Sequence, residues 1–387
     1  MRKVVVLIAL LAALPLSGCW DRTEVNDVAI VLATAIDKEK DGYRLSVIIP
    51  LPGNLGGPSG GGGGTGGQKP YMVGFDTGAT ISEASSRLQS RLPRKLFYAH
   101  LKVVLIGEEM AKEGLRDVMD VLGRVPRNRL ASSIAVTKGS AYEVLNTQPH
   151  LERFSAEKLR ELLKSDVTIP IKIKTVASQL NKVGQDPIIP YVQIKQKSNG
   201  EKNSEILEID GFVYTRDGKM IGVAEGDAAK GVRWLNRFKF HPYLETMRMK
   251  GGDVSVLIRR GSVSVKPRVV GGEPHFDIKV KAEGSIEEAL DNRDYENETN
   301  IRELERQLEQ NIERELSAAL DIVKRQKSDI AGFGTSVYRA YPDLWDKWKR
   351  DWNERLSRAS FHVTVRGNVN RAGKFSENIA KLGEKYE

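Results

Sequence analysis

A thiol in a setting for covalent lipid attachment lies near the start of the chain. Cys19 is the only cysteine in 387 residues, and it directly follows Leu16-Ser17-Gly18. Two basic residues precede an apolar run over residues 4–14, which is too short to span a bilayer as a helix. The pattern predicts a lipoprotein signal peptide over residues 1–18, cleavage before Cys19 and diacylation of its thiol.

Two other interpretations of this segment stay open. One is an ordinary signal peptide in which the cysteine occurs by chance, and the other is a short membrane anchor that is not cleaved. A free thiol in an exported protein is reactive, and acylation would remove it. Two acyl chains hold a protein durably at a bilayer, whereas one chain binds only marginally. We therefore predict attachment to a membrane through a diacylglyceryl group on Cys19.

Outside the glycine tract, the sequence contains a match to a catalytic signature, Asp76-Thr77-Gly78, which is the half-site of an aspartic protease. That chemistry needs two carboxyl groups that share one proton, and the chain has no second copy of the motif. Thr80 and Glu83 have the spacing of a helix capping box, so the start of a helix explains the residues around this motif without catalysis. The five histidines show no metal-ligand spacing. The sequence predicts no catalytic residue, no cofactor and no metal site.

Two groups of side chains could contact a partner. Trp345, Trp348 and Trp352 have the i, i+3, i+7 spacing of one helix face. Core packing is the ordinary interpretation of that spacing, and docking of a partner protein is the alternative. Arg124 and Arg129 could bind an anion or a lipid headgroup, whereas surface ion pairs are the simpler explanation. Both groups are candidate partner-contact sites.

The chain is basic, with a formal net charge of +9 at pH 7. Such an excess can indicate nucleic-acid binding, but export from the cytoplasm argues against that partner. An anionic membrane surface is the nearer partner, because each well-placed basic residue contributes about 1 kcal/mol there. A mildly basic, solvated surface explains the charge equally well.

Patterns of apolar residues predict an α+β protein of several domains, in which mixed and antiparallel sheets are packed with helices. A glycine-rich tract over residues 53–67 is expected to form a flexible loop in the first domain. We predict a signal peptide over residues 1–18 and an N-terminal α+β domain over residues 19–140. A middle domain over residues 141–245 is predicted to be mostly helical before a hairpin, and a C-terminal α+β domain is predicted over residues 250–387.

The C-terminal domain is predicted to contain a long helix over residues 300–329. Its apolar residues recur at intervals typical of one helix face, and its charged residues are expected to be solvated. The members of this face are Ile301, Leu304, Leu308, Ile312, Leu316 and Val323. Asn300 is expected to cap the helix. A second helix over residues 341–356 and a strand over residues 361–369 are predicted to follow.

Several sequence blocks together resemble the Ger(x)C family, the lipoprotein C subunit of bacterial spore germinant receptors. One block is Gly18-Cys19-Trp20-Asp21, and another is Gly78-x-Thr80-Ile81-x-Glu83-Ala84. The most specific block combines Ser328-Asp329-Ile330 and Gly332-Phe333-Gly334 with the downstream tryptophans. Each block alone is weak evidence for the family, but the order and spacing of the blocks together are strong evidence. The resemblance covers nearly the whole mature chain.

The resemblance implies three α+β domains at the outer face of the cell or spore inner membrane. It implies integral-membrane A and B receptor subunits as partners, and it assigns no enzymatic residue. We therefore predict a lipid-anchored, non-catalytic subunit of a spore nutrient germinant receptor, needed for receptor assembly or signalling. The alternative function is a substrate-binding lipoprotein of a membrane transporter, a class that usually has two doubly wound lobes around a cleft.

Overall fold

The computed structural model describes residue 2 and residues 24–51, 69–125, 129–148, 152, 154–166, 168–197, 204–236, 240–291 and 293–370. Within these ranges the chain forms 14 strands in three sheets and 11 helices. Cys19, the rest of the predicted signal peptide apart from residue 2, and the glycine tract at 53–67 lie outside the described residues.

Runs of strands and runs of helices follow one another along the chain. The strands are β1 (Val28–Ile30), β2 (Ala33–Glu39), β3 (Gly42–Pro50), β4 (Tyr71–Gly78), β5 (Lys95–Phe97), β6 (Val103–Gly107), β7 (Ser133–Thr137), β8 (Ile188–Lys197), β9 (Ser204–Arg216), β10 (Lys219–Ala224), β11 (Tyr243–Met249), β12 (Gly252–Val270), β13 (Glu273–Ala289) and β14 (Ser360–Asn370). The helices are α1 (Ile81–Ser90), α2 (Glu108–Glu113), α3 (Arg116–Arg124), α4 (Ala141–Asn146), α5 (Ser155–Leu162), α6 (Ile173–Leu180), α7 (Gly226–Leu235), α8 (Glu298–Gln326), α9 (Phe333–Ala340), α10 (Pro342–Trp348) and α11 (Trp352–Arg358).

Eight strands form one mixed sheet in the order β10-β9-β8-β7-β6-β2-β3-β4. The four inner strands β2, β6, β7 and β8 run parallel, and antiparallel pairs extend the sheet at both edges. All five residues of β6 are buried, since helices and loops cover both faces of a sheet that is parallel in its middle. Val104 and Ile106 enter one apolar cluster, and Val103 and Leu105 enter another on the opposite face.

The second large sheet has the order β11-β12-β13-β14. The first three strands are antiparallel, but β14 runs parallel to β13. The connection between these two strands consists of α8 to α11, because a parallel pair needs a crossover. The 29-residue helix α8 buries one face, which includes Leu304, Leu308 and Ile312.

The mixed α+β architecture with a long C-terminal helix confirms the predicted fold class. The predicted cap of α1 is confirmed as well, because the Thr80 hydroxyl accepts from the Glu83 amide at 3.0 Å. The Glu83 carboxylate accepts from the amide of Ala79 at 2.7 Å, whereas a standard capping box would use the amide of Thr80 itself. The predicted hairpin of the middle segment has its turn at Asp217 and Gly218, which both have positive φ, and Asp-Gly is a favoured sequence for such a turn.

The bounds of the C-terminal helices differ from the prediction. Asn297, not Asn300, caps α8, because its side chain accepts from the Thr299 amide at 2.8 Å. The helix ends at Gln326, because Lys327 adopts a left-handed conformation. The predicted helix over 341–356 is two helices, α10 and α11, with Asp351 outside helical geometry between them.

The eight-stranded sheet continues across the predicted domain boundary at residue 140. β7 lies before that position and β8 after it, and the two strands pair in parallel. Likewise, β11 spans residues 243–249 and pairs with β12, so the predicted boundary between 245 and 250 falls on the edge strand of the second sheet. Sheet pairing therefore joins segments that the sequence pattern separates.

Candidate functional site

The junction between the two large sheets contains a buried acidic cluster. It is built from the segment that links α8 to α9, from the loop before β8 and from the start of α11. We call Asp186, Asp329 and Trp352, with the close glycine pair Gly184 and Gly334, the Asp329 cluster. Its residues come from both halves of the chain, so the cluster joins the loop before β8 to the helices between β13 and β14.

Asp329 is the centre of this cluster and is only 1% exposed. Its Oδ1 accepts from the Phe333 amide at 2.7 Å, and its Oδ2 accepts from the Gly334 amide at 2.8 Å and from Trp352 Nε1 at 2.9 Å. Burial raises the pKa of the Asp329 carboxyl to about 6, although these donors act in the opposite direction. The carboxyl group thus caps the N-terminus of α9 and holds α11 beside it.

Two hydrogen bonds connect Asp186 and Asp329, and the backbone amide of each residue donates one of them. The Asp329 amide donates to Asp186 Oδ2 at 2.7 Å, and the Asp186 amide donates to the Asp329 carbonyl at 2.8 Å. Burial, together with the nearby charges of Asp329 and Asp217, raises the pKa of the Asp186 carboxyl to about 7. These bonds join two segments that are 143 positions apart in the sequence.

Close backbone approach explains the two glycines. A Cβ on Gly334 would lie 2.6 Å from the Gly184 Cα and 2.7 Å from the Trp345 ring. Gly184 also has a φ of +74°, which favours glycine, and its carbonyl accepts from the Thr335 amide at 3.1 Å. Packing at the junction therefore requires glycine at position 334 of the motif Gly332-Phe333-Gly334.

The three candidate partner-contact tryptophans lie in the core. Trp345, Trp348 and Trp352 are 3–4% exposed. The rings of Trp345 and Trp352 meet edge to face at 5.2 Å, and the Arg355 guanidinium lies 5.0 Å from the Trp348 ring centre. Core packing, the ordinary interpretation of their spacing, describes these side chains, and they present little surface to a partner.

The other predicted site residues lie elsewhere. Arg124 ends α3 on the surface and forms an ion pair with Asp120 at 2.7 Å. Arg129 is exposed before β7. Cys19 lies outside the described residues. In the protease-like motif, Asp76 forms an ion pair with Arg91 at 3.1 Å.

A polar cleft of about 490 Å³ opens beside the Asp329 cluster. Charged residues of both signs line it, including Arg116, Lys349, Asp217 and Glu354. In the part of the chain that the structure describes, no group of three or more His, Cys, Asp or Glu residues could hold a metal ion. The polar groups of the Asp329 cluster form hydrogen bonds with one another and with the backbone around them. The cluster therefore has a structural role at the junction of the two sheets.

A second buried polar cluster was not predicted from the sequence. Glu315 of α8 is fully buried, and its Oε2 accepts from Trp234 Nε1 and from the Tyr243 hydroxyl, each at 3.1 Å. Lys230 Nζ lies 2.6 Å from Glu245 and 3.4 Å from Glu315. Burial, with the nearby Glu245 charge, raises the pKa of Glu315 to about 7. The expectation that the acidic residues of α8 are solvated is wrong for Glu315.

Comparison with known proteins gives matches along nearly the whole chain. A family model described as "Spore germination protein N-terminal domain" matches residues 21–194, and one described as "Spore germination B3/ GerAC like, C-terminal" matches residues 210–373. Spore germination protein KC of Bacillus subtilis (strain 168) is 30% identical over 389 residues, which cover 95% of each chain. Spore germination protein B3 of the same organism is 26% identical over 364 residues, covering 91% of this chain and 93% of that protein.

A solved structure has the same fold. The crystal structure of the GerBC protein matches with a TM-score of 0.56 at 21% identity, and the match covers 87% of this chain and 96% of that one. Among the described residues, no helix has the length and apolar character needed to cross a membrane.

Proposed function

Because this chain belongs to the GerAC-like, or Ger(x)C, family of spore germination proteins, we propose that it is the lipid-anchored, non-catalytic subunit of a spore nutrient germinant receptor. The observation that carries the proposal is the match of both family models, in order, over residues 21–194 and 210–373. In this proposal the chain supports receptor assembly or signalling beside integral-membrane A and B subunits.

The sequence around Cys19 supports the anchor. Leu16-Ser17-Gly18 precedes the only cysteine of the chain, and a short apolar run precedes them. A diacylated Cys19 would hold the chain at the outer face of the inner membrane. The first described strand begins at Val28, nine positions later. Nine residues reach at most about 30 Å, so β1 and its partner strand β5 would lie close to the bilayer.

The chemistry of the buried groups supports a non-catalytic role. Asp329 is enclosed, and its oxygens accept from groups of the protein itself. Trp352 donates to this carboxyl group rather than to a ligand. The continuous eight-stranded sheet and the separate four-stranded sheet also differ from the two doubly wound lobes of a transporter's binding lipoprotein. We therefore favour the receptor subunit over that alternative.

A spore-forming strain that carries Cys19→Ala tests the anchor and its importance together. We expect the chain to disappear from the inner-membrane fraction and nutrient-triggered germination to slow. Ser17→Ala keeps a small residue in the signal and serves as the matched control, with normal attachment and germination. A Cys19→Ala chain that remains attached and supports normal germination would refute the proposed anchor.

Co-purification tests the proposed partners. We expect A and B subunits to be recovered with the wild-type chain from solubilised inner membranes. Their absence from such preparations, with the chain itself intact, would contradict a receptor-subunit role. The Cys19→Ala strain shows in the same measurement whether the anchor is needed for that association.

A further inference from the structure

An apolar cavity of about 260 Å³ lies between the eight-stranded sheet and helices α1 and α3, away from the Asp329 cluster. Ile36 and Leu45 form its wall on the sheet side, and Ile81 and Leu122 close it from the two helices. These four side chains belong to the main apolar core. Val125, which is 38% exposed, lies at the cavity and gives it a boundary with solvent.

Hydroxyl groups interrupt this apolar lining. Thr34 lies on the same face of β2 as Ile36, is 3% exposed, and its Oγ1 has no hydrogen-bond partner among the described residues. The Tyr98 hydroxyl and Ser85 Oγ, also in the lining, lie 3.2 Å apart and bond to each other. A buried hydroxyl without a partner is costly, so a ligand that bonds to Thr34 would remove that cost.

The lining also limits the charge and the size of a ligand. None of the described residues that line the cavity is charged, so these residues offer no counter-ion to a phosphate, a carboxylate or an ammonium group. A dry cavity of about 150 Å³ in another protein holds benzene, which has six carbon atoms. By that scale, this cavity has room for about ten non-hydrogen atoms.

We propose that this cavity is a binding site for a neutral, mainly apolar molecule of about ten non-hydrogen atoms whose single hydroxyl or carbonyl group bonds to Thr34. Apolar pockets with a few placed polar groups are the ordinary form of small-molecule sites. The proposal does not depend on the role of the chain in a germinant receptor. It adds a ligand site to a domain for which the receptor role requires none.

Calorimetric titration of the full-length chain in phospholipid nanodiscs tests the site, with the heat of empty nanodiscs subtracted. The probe is 4-propylphenol, and propylbenzene is its matched partner without a hydroxyl. We expect saturable binding of one 4-propylphenol per chain. Ser85→Leu places an apolar side chain in the cavity and should weaken binding by about tenfold or more. Ser86→Leu, an exposed neighbour on the same helix, should leave it unchanged.

Thr34→Val tests the hydrogen bond without changing the size of the cavity. We expect 4-propylphenol to bind about three- to tenfold more weakly, as for the loss of one hydrogen bond, and propylbenzene to bind as before. Circular dichroism verifies the fold of each variant. If Ser85→Leu does not fold, the binding of 4-propylphenol and propylbenzene to Thr34→Val tests the site instead. Absence of saturable binding, or equal effects of Ser85→Leu and Ser86→Leu, would overturn the site. Equal effects of Thr34→Val on both probes would overturn the role of Thr34.

Discussion

At Asp329, three N–H donors from two helices reach one buried carboxyl group. Hydrogen bonds to a charged group contribute more than neutral ones, about 1.5–3 kcal/mol each. The cost of burying the carboxylate opposes this gain, which agrees with the raised pKa of Asp329. The role of this residue is to order the start of α9 and the position of α11.

Asp329→Asn should destabilise the chain, because the new amide group brings N–H donors towards donors that are already there. We expect the free energy of unfolding in urea to fall by about 1–3 kcal/mol. Asp346→Asn is the matched control, since Asp346 is exposed and its contact among the described residues is a surface ion pair with Lys349. Equal effects of the two substitutions would show that Asp329 does not stabilise the junction.

Gly334→Ala should be destabilising by about 1–3 kcal/mol, since its Cβ would overlap the Gly184 backbone and the Trp345 ring. Gly123→Ala is its counterpart in α3, where nothing lies within 4 Å of the new methyl group. There the substitution should be neutral or stabilise by up to about 1 kcal/mol. Thermal unfolding of both variants measures the contrast, and a harmless Gly334→Ala would contradict the close approach.

Sequence reasoning reached only part of this site. The resemblance to a family singled out Asp329, Gly334 and Trp352 but not Gly184, and the spacing of the tryptophans agreed with core packing. Asp186 was missed, because no local pattern links it to a residue 143 positions away. The contact exists only once both sheets have formed.

On the scale of elements, α8 shows what an apolar pattern reveals and what it hides. The predicted stripe is buried at Leu304, Leu308 and Ile312. Asn311 and Glu315 are buried on the same side. They follow Leu304 and Leu308 by seven positions each, so the heptad spacing could have identified them. A pattern of apolar residues alone passes over a polar side chain that has buried partners.

Glu315 predicts a stability that depends on pH. Its pKa in the folded chain is raised to about 7, chiefly by burial, from 4.5. Between these values the folded chain keeps a proton that the unfolded chain has released, so the free energy of unfolding falls as pH rises through this window. In Glu315→Gln the fall between pH 4.5 and 7.5 should be smaller by about 1–3 kcal/mol.

Urea unfolding of both proteins at several pH values measures this difference. Glu313→Gln, an exposed neighbour on α8, is the matched control and should keep the wild-type pH dependence. An unchanged slope in Glu315→Gln would mean that Glu315 titrates alike in the folded and unfolded chain. The pairing of Lys230 with Glu245 and Glu315 would then compensate for burial.

On the scale of the whole molecule, one continuous cluster of buried apolar residues extends from the eight-stranded sheet to α8 and the second sheet. Two sheets that share a core are expected to unfold together. The four described tryptophans all lie at residue 234 or later, so their fluorescence reports on the second half, whereas far-UV circular dichroism reports on the entire chain. We expect the two urea transitions to coincide, and clearly separate midpoints would show independent units.

The parallel pairing of β14 with β13 also has a consequence for synthesis of the protein. Residues 360–370 complete the second sheet, and they are made after all its other strands. A ribosome that stops at about residue 359 would release a chain in which one side of β13 is an open edge. Such an edge is a template for pairing with another chain, so premature termination here should produce aggregates rather than a shortened, working protein.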